Sequence, residues 1–166
     1  MKGLNLISKK QEGITFIEII VVIGVFSILV SFSTFSLLNI GQRSTSNTAF
    51  NVLISDIKQQ QARATSGEKG EDGGRFGGVF FAQNSYVLFS RSSYSPSDPS
   101  NFTVVLDDDL EFQDILFSSS QVVFDTSSGE FLEYKSGEDS VVLKNKTTND
   151  QKKIKINRFG VIDEVN

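Results

Sequence analysis

The apolar and polar residues divide the chain into stretches of different character, and the longest apolar stretch is residues 14–38. It contains a single charged side chain, Glu18, and would leave no polar stripe on a helix. Such a helix would measure about 37 Å, compared with roughly 30 Å for the hydrocarbon core of a bilayer. The pattern predicts a helix that spans a membrane or packs among other apolar helices.

Residues 39–65 predict that the helix continues with an amphipathic pattern. Apolar residues and one glutamine recur at spacings of three and four and form a single face: Phe50, Leu53, Ile54, Ile57, Gln61 and Ala64. The residues on the other sides are mostly polar or charged. We expect this half of the helix to lay its apolar face on a soluble domain.

Residues 66–78 contain six glycines and predict a connector, because a helix does not continue through so much glycine. A phosphate-binding loop is not supported there, since no strand precedes the glycines and no Gly-Lys-Ser/Thr ending follows. Residues 79–166 predict a β-rich exported domain of short, Phe- and Val-rich strands. The strand candidates are Val79–Ala82, Tyr86–Phe89, Phe102–Leu106, Val122–Phe124, Glu130–Tyr134, Val141–Leu143, Lys153–Asn157 and Val161–Ile162.

Turn signals separate these strand candidates. Hairpin turns are expected at Ser127–Gly129 and Ser136–Glu138, and an exposed loop is expected at Ser92–Ser100. Short strands at regular spacing favour an antiparallel sheet or a small sandwich. The predicted fold class is therefore α+β, with a long N-terminal helix packed on a small antiparallel β-domain.

A polar leader, residues 1–13, precedes the apolar stretch and ends in a glycine. The sequence Lys9-Lys10-Gln11-Glu12-Gly13-Ile14-Thr15-Phe16-Ile17-Glu18 resembles the cleavage and methylation motif of type IV prepilins and type II secretion pseudopilins. The resemblance implies that a prepilin peptidase cuts after Gly13 and methylates the new N-terminus at Ile14. Two departures stand out: the first mature residue is commonly phenylalanine, and Phe35 occupies a position where major pilins often have proline. The missing proline favours a minor subunit.

Glu18 lies near one helical turn from the amine that cleavage would create at Ile14. In a filament core without water, each of these charges needs a partner. We expect the amine of one subunit to meet Glu18 of its neighbour and so fix the axial register. Gly24 and Ser27 either permit close helix packing or are simply tolerated in a membrane helix.

The lysines of the leader, Lys2, Lys9 and Lys10, predict a cytoplasmic N-terminus and an exported C-terminal domain, in a single pass through the membrane. The resemblance implies that this membrane is a bacterial inner membrane. The expected partners are membrane lipid before assembly, then other pilin or pseudopilin subunits and an inner-membrane assembly platform. The layout of helix and β-domain also resembles the H-type minor pseudopilins. The expected function is that of a structural subunit, a minor pilin or pseudopilin, without a cofactor.

Three other interpretations of the apolar stretch remain open at this point. They are a secretory signal peptide cut after Ser31–Ser33, a plain membrane anchor for a binding domain, and a buried globular helix. The length of the stretch argues against the buried helix. The signal peptide and the plain anchor leave Glu18 unexplained, because a carboxylate at the centre of a bilayer costs a few kcal/mol.

The chain has no His, Cys or Trp, which narrows its chemistry. Disulfides, Cys/His zinc sites and thiolate or imidazole catalysis are excluded. The serines have no histidine to activate them, so no catalytic residue is predicted and an enzyme is not expected. Asp107–Asp109 with Glu111 fit either a Ca²⁺ site or, with better support, a solvated acidic turn.

The net charge of −4 argues against nucleic-acid binding over the whole surface. A basic cluster nevertheless lies near the C-terminus: Lys152, Lys153, Lys155 and Arg158. Alternation with Ile154 and Ile156 predicts a strand with one basic face and one buried face. The basic face would either contact DNA, as in a DNA-uptake pilin, or protect an edge strand from aggregation.

Overall fold

The computed structural model describes the backbone of residues 15–67 and 77–165. It describes the side chains of residues 15–31, 45–67 and 77–163. The fold is α+β, with antiparallel sheets after a long helix, as the sequence predicted.

The chain falls into two compact units, Met1–Ile40 and Gly41–Asn166. The predicted leader, residues 1–13, and the predicted cleavage position at Gly13 and Ile14 lie outside the described residues. Within the described part of the chain, no helix is both long enough and apolar enough to cross a membrane.

The helix α1 covers Phe16–Ser66, and a short 3₁₀ turn covers Ser118–Ser120. The strands in the described residues form two four-stranded antiparallel sheets. Sheet A has the order β3-β2-β1-β5 and sheet B the order β4-β6-β7-β8. The strand bounds are β1 Gly77–Ala82, β2 Ser85–Phe89, β3 Phe102–Val105, β4 Leu110–Gln113, β5 Gln121–Phe124, β6 Ser140–Asn145, β7 Gln151–Ile156 and β8 Ile162–Val165.

The amphipathic part of α1 buries the apolar face that its periodicity predicted. Its members Phe50, Leu53, Ile54, Ile57 and Ala64 are all buried. They pack in one hydrophobic cluster with residues of both sheets. The two sheets also meet directly, because the rings of Phe81 in β1 and Phe112 in β4 are 5.4 Å apart and edge-on. A single core therefore holds the amphipathic part of α1 and both sheets.

The helix face differs from the prediction at one glutamine. Gln60 is the buried one, with 1% of its surface exposed, whereas Gln61 is only half-buried. The reason is the close approach of α1 to β1: a Cβ placed on Gly77 would come within 2.0 Å of the Gln60 carbonyl oxygen. Gly77 and Gly78, expected in the connector, are thus the first residues of β1.

The loop predicted at Ser92–Ser100 is exposed at five of its nine residues, but it also packs on sheet A. The Tyr94 ring stacks on Phe80 with 4.0 Å between ring centroids. The Asp98 carboxylate is only 3% exposed and pairs with Arg91. The loop therefore covers the face of sheet A that lies away from the main core.

One strand prediction was wrong, and one strand was missed. Glu130–Tyr134 is not a strand, since Phe131 forms only an isolated bridge to Phe124 and Glu133 has a φ of 58°. A left-handed residue cannot continue an extended strand. In contrast, Leu110–Gln113 forms β4, which was not predicted. Its two buried apolar residues alternate with polar ones over only four positions, directly after an acidic run that is typical of a turn.

Candidate functional site

The N-terminal end of α1 is held by hydrogen bonds between Thr15 and Glu18. Thr15 precedes α1, and its backbone N–H and hydroxyl lie 3.3 and 3.4 Å from Oε2 of Glu18. The Thr15 carbonyl accepts bonds from the backbone N–H groups of Glu18 and Ile19. This is the glutamate half of a capping box, in which a Glu three residues after a Thr returns to the backbone N–H of that Thr. Glu18 therefore fixes the start of the helix within its own chain.

The first turns of α1 expose apolar side chains in all directions. Twelve large apolar side chains between residues 16 and 30 are exposed, led by Phe16 at 79%, Ile17 at 69% and Phe26 at 66%. Soluble surfaces rarely carry so large a continuous apolar area. The single chain leaves these side chains without cover.

The polar groups in this stretch are satisfied within the helix itself. The Ser27 hydroxyl donates to the Ile23 carbonyl and the Ser31 hydroxyl to the Ser27 carbonyl, each at 2.8 Å. A Cβ on Gly24 would meet nothing within 4 Å. The structure of one chain thus gives no intramolecular reason for Gly24.

The comparison with protein families decides the class of this N-terminus. Residues 8–34 match the family described as the prokaryotic N-terminal methylation motif. The chain carries a prepilin-type N-terminus. This match supports a protein of the type IV pilin-like and pseudopilin family, which is structural and not enzymatic. No curated protein and no solved structure gave a significant match to the chain.

Glu18 belongs to the prepilin motif and also lies within the described residues. The matched residues include Gly13, Ile14 and Glu18, the three positions that sequence analysis singled out. Of these, the structure describes Glu18 alone, so cleavage after Gly13 stays a prediction. The sequence predicted a charge partner for Glu18 in another subunit, but missed its capping role. The spacing Thr15-x-x-Glu18 was the signal for that role.

The basic C-terminal residues are not brought together on one surface. Lys153 and Lys155 share a face of β7, whereas the Lys152 ammonium lies 4.7 Å from the centre of the Phe50 ring on the core side. Arg158 lies beyond β7 in the turn that leads to β8. In addition, β7 pairs with both β6 and β8, so the interpretation of these charges as protection of an edge strand was wrong.

Acidic neighbours offset the basic face of sheet B. Lys155 is directly opposite Asp163 on β8, and its ammonium is 3.5 Å from the Asp139 carboxylate. Lys144 is directly opposite Glu111 on β4. Opposite charges at facing strand positions attract one another. This face of sheet B therefore carries both positive and negative side chains and is not uniformly basic.

The acidic run Asp107–Asp109 forms the turn into β4. The Asp107 carbonyl accepts a bond from Leu110 N at 2.8 Å, and Asp109 Oδ1 accepts one from the Thr147 hydroxyl at 3.0 Å. Among the described residues, no three carboxylates come together in a way that would hold a metal ion. The hydrogen bonds of the run fit a turn that connects β3 to sheet B.

Proposed function

We propose that this chain is a structural subunit, a minor pilin or pseudopilin, of a type IV pilus or a type II secretion-like filament. The observation that carries the proposal is the match of residues 8–34 to the prepilin methylation motif. The exposed apolar helix that follows supports it, because filament assembly would supply the cover that one chain lacks.

Maturation would occur between Gly13 and Ile14. A glycine before the cut lets a peptidase approach the backbone closely. Before assembly, the apolar stretch would lie in the inner membrane with the lysine-rich leader in the cytoplasm. The β-domain would then be exposed on the far side. The assembly platform and other pilin subunits would extract the helix into a filament.

Glu18 would serve two purposes in the mature subunit. Thr15 occupies one oxygen, Oε2, of the carboxylate. An ionised carboxylate offers about four acceptor positions. Room therefore remains for the methylated amine of an adjacent subunit. Such a buried charge pair is worth little as stabilisation but specifies register.

The experiment that tests the proposal is mass spectrometry of the mature N-terminus. The full chain is expressed with its own prepilin peptidase, next to a Gly13→Val variant and a Gly24→Ala control. We expect an N-methylated Ile14 in the parent and the control, and its loss in the Gly13 variant. An intact Met1 in all three would indicate a plain anchored domain. A cut near Ser33 would indicate a secreted protein.

The alternative of a DNA-uptake pilin has weaker support. Its basic residues lie on different sides of sheet B, and acidic residues adjoin Lys144 and Lys155. Phosphate binding needs several cations that reach the same backbone. We therefore favour the structural role over DNA binding.

A further inference from the structure

The turn between β7 and β8 presents an exposed aromatic residue beside an exposed cation. Phe159 is 65% exposed and Arg158 precedes it; we call this pair the β7–β8 tip. Val161 follows at 53% exposure. Single exposed apolar residues are common. What distinguishes this one is how firmly its backbone is held.

Asn157 organises the tip. Its side-chain oxygen accepts bonds from Phe159 N at 2.9 Å and Val161 N at 3.1 Å. Its carbonyl accepts a bond from Gly160 N at 2.9 Å. From α1, the Gln61 amide donates to the Phe159 carbonyl at 3.3 Å. The Phe159 ring thus projects from a fixed turn, so little entropy would be lost when it binds.

A groove of matching character lies between α1 and the edge strand β3. It has a volume of about 520 Å³ and is lined mostly by apolar side chains, including Val52, Val104 and Val105. Val105 is 73% exposed and Val52 is 45% exposed. A cavity of roughly 150 Å³ suffices for benzene. The α1–β3 groove can therefore accept a phenylalanine ring.

The charges of the two surfaces are also complementary. Asp107 is the charged residue among those that line the α1–β3 groove. The tip carries Arg158 directly before its aromatic ring. A phenylalanine seated in the groove would bring the guanidinium near the carboxylate. Charge complementarity of this kind selects partner and orientation.

The positions of the tip and the groove suit copies that point in the same direction. The groove contacts α1 from Thr45 to Val52, whereas the tip contacts α1 at Gln61. Gln61 lies nine positions after Val52, which corresponds to about 14 Å along the helix axis. Tip and groove therefore lie at different heights on the helix. A tip on one copy and a groove on an adjacent copy would therefore meet in a head-to-tail contact between two different surfaces.

We propose that the β7–β8 tip of one subunit inserts Phe159 into the α1–β3 groove of a second copy, with Arg158 of the first beside Asp107 of the second. The inference rests on the proposed filament function and specifies which surfaces of the β-domain meet. The partner is a second copy of this chain.

Disulfide cross-linking tests the contact, because the chain has no cysteine of its own. Full-length Val105→Cys and Val161→Cys chains, carrying different tags, are co-expressed with the assembly machinery and oxidised. Val161 adjoins the tip, so the Phe159 ring is kept. We expect a mixed dimer from this pair and none from either variant alone. The matched control pairs Val161→Cys with Leu116→Cys, which is 45% exposed but does not line the groove.

The side chains in the contact are tested on the same cysteine background. Phe159→Ala is expected to lower the cross-linked fraction at least fivefold, and Arg158→Asp to lower it likewise. Arg158→Asp is carried by the Val161→Cys chain. Introducing Asp107→Arg into the Val105→Cys chain should then restore most of the cross-link. A structural defect would not be rescued by a second charge reversal.

Every outcome decides for or against the contact. Absence of the mixed dimer, although both cysteines react with maleimide, overturns it. Equal cross-linking by a single variant alone, or cross-linking to a different protein, also overturns it. The state of Ile14 is measured on the same cells: a methylated Ile14 without the cross-link refutes only this contact, whereas an intact Met1 refutes the filament function.

Discussion

The Tyr86 hydroxyl donates a hydrogen bond of 2.5 Å to Asp56 Oδ2, which joins β2 to α1 across the core. The Tyr86 ring is almost completely buried, with 1% of its surface exposed. Burial, together with the hydrogen bond and the charge of Asp56, raises the pKa of Tyr86 well above its usual value. The Tyr86 hydroxyl therefore stays protonated and donates to the Asp56 carboxylate.

Removing this hydroxyl should destabilise the β-domain. We expect Tyr86→Phe to lower the free energy of unfolding by about 1–3 kcal/mol, because the partly buried Asp56 carboxylate loses its donor. Urea unfolding of the full chain in detergent, followed by circular dichroism, measures the change. The control is Tyr94→Phe, since the Tyr94 ring stacks on Phe80 and its hydroxyl takes part in none of the described hydrogen bonds.

The same bond predicts a loss of stability in alkali. The pKa of Tyr86 is higher in the folded state than the unfolded value of 10.0. Its contribution to stability is therefore complete below about pH 10 and is lost as the pH rises further. Parent stability should fall from about pH 10 upward, and the fall should be shallower in Tyr86→Phe. Parallel curves for the two proteins would contradict this account.

Gly77 packs closely against α1, which predicts that a larger residue is not tolerated there. Gly77→Ala would push a methyl group into the Gln60 backbone, because the Cβ would lie 2.0 Å from its carbonyl oxygen. Backbone on both sides leaves little room for relaxation, so we expect a loss of about 3 kcal/mol or more, or failure to fold. Thermal unfolding measures this. Gly24→Ala, with nothing within 4 Å, should leave the melting temperature unchanged.

The loop over sheet A should loosen in acid. Bonds from the Ser100 hydroxyl and N–H, and then from Arg91, lower the pKa of Asp98 from 3.8 to about 2. A carboxylate whose pKa is lowered by folding contributes its full stabilisation above its unfolded pKa. That contribution is lost as the pH falls toward the folded-state pKa. Parent stability should therefore decline between about pH 4 and pH 2, and Asp98→Asn should flatten that decline. Asp108→Asn, in the exposed acidic turn, should not.

The acid effect is followed by hydrogen exchange of the loop amides as well as by global unfolding. Increased exchange near Tyr94 at low pH is expected before the domain unfolds, since the loop covers only the outer face of sheet A. Equal acid sensitivity of the parent and Asp98→Asn would show that other carboxylates control the transition.

The mixed charges of sheet B predict little affinity for DNA. We expect the full chain in detergent not to retain duplex DNA at about 150 mM salt, since Lys155 is already paired with Asp139. The comparison is Lys153→Glu with Lys155→Glu in one chain. Retention that is salt-sensitive and is abolished in this double variant would instead support the DNA-uptake function.

The sequence predicted those parts of the fold whose signal is local. The three-and-four spacing from Phe50 to Ala64 identified the helix face that is buried. The apolar run identified the first half of α1, although the cap formed by Thr15 and Glu18 was missed. In contrast, the pairing of Tyr86 with Asp56 and the contact of Gly77 with Gln60 join residues far apart in the chain. Periodicity carries no information on such pairs, and only the packed structure reveals them.

The β-domain was also harder to predict where strands are short. The four residues of β4 follow an acidic run, and their alternation of Leu110 and Phe112 with polar residues is too brief to stand out. Likewise, Glu130–Tyr134 has the composition of a strand but reverses direction at Glu133. Composition alone does not encode such a left-handed residue when it is not glycine.

The two roles of Glu18 can be separated by the choice of substitution. Glutamine can take the place of glutamate in a capping box, whereas alanine cannot. Glu18→Gln should therefore keep the helix start while removing the charge, and Glu18→Ala should lose both. Loss of the cap alone costs about 1 kcal/mol. Thr15→Val supplies the matched control, because it removes the hydroxyl and leaves the carboxylate charged.

If Glu18 pairs with the methylated amine of a neighbour, Glu18→Gln and Glu18→Ala should both reduce incorporation into filaments at least tenfold, while Thr15→Val reduces it much less. Co-purification of the chain with sheared filaments or with other pilin subunits measures incorporation. A glutamine variant that assembles like the parent would restrict Glu18 to capping, because its charge would then be dispensable. Unchanged association in Glu18→Ala as well would favour a plain membrane anchor, since such an anchor has no use for either role.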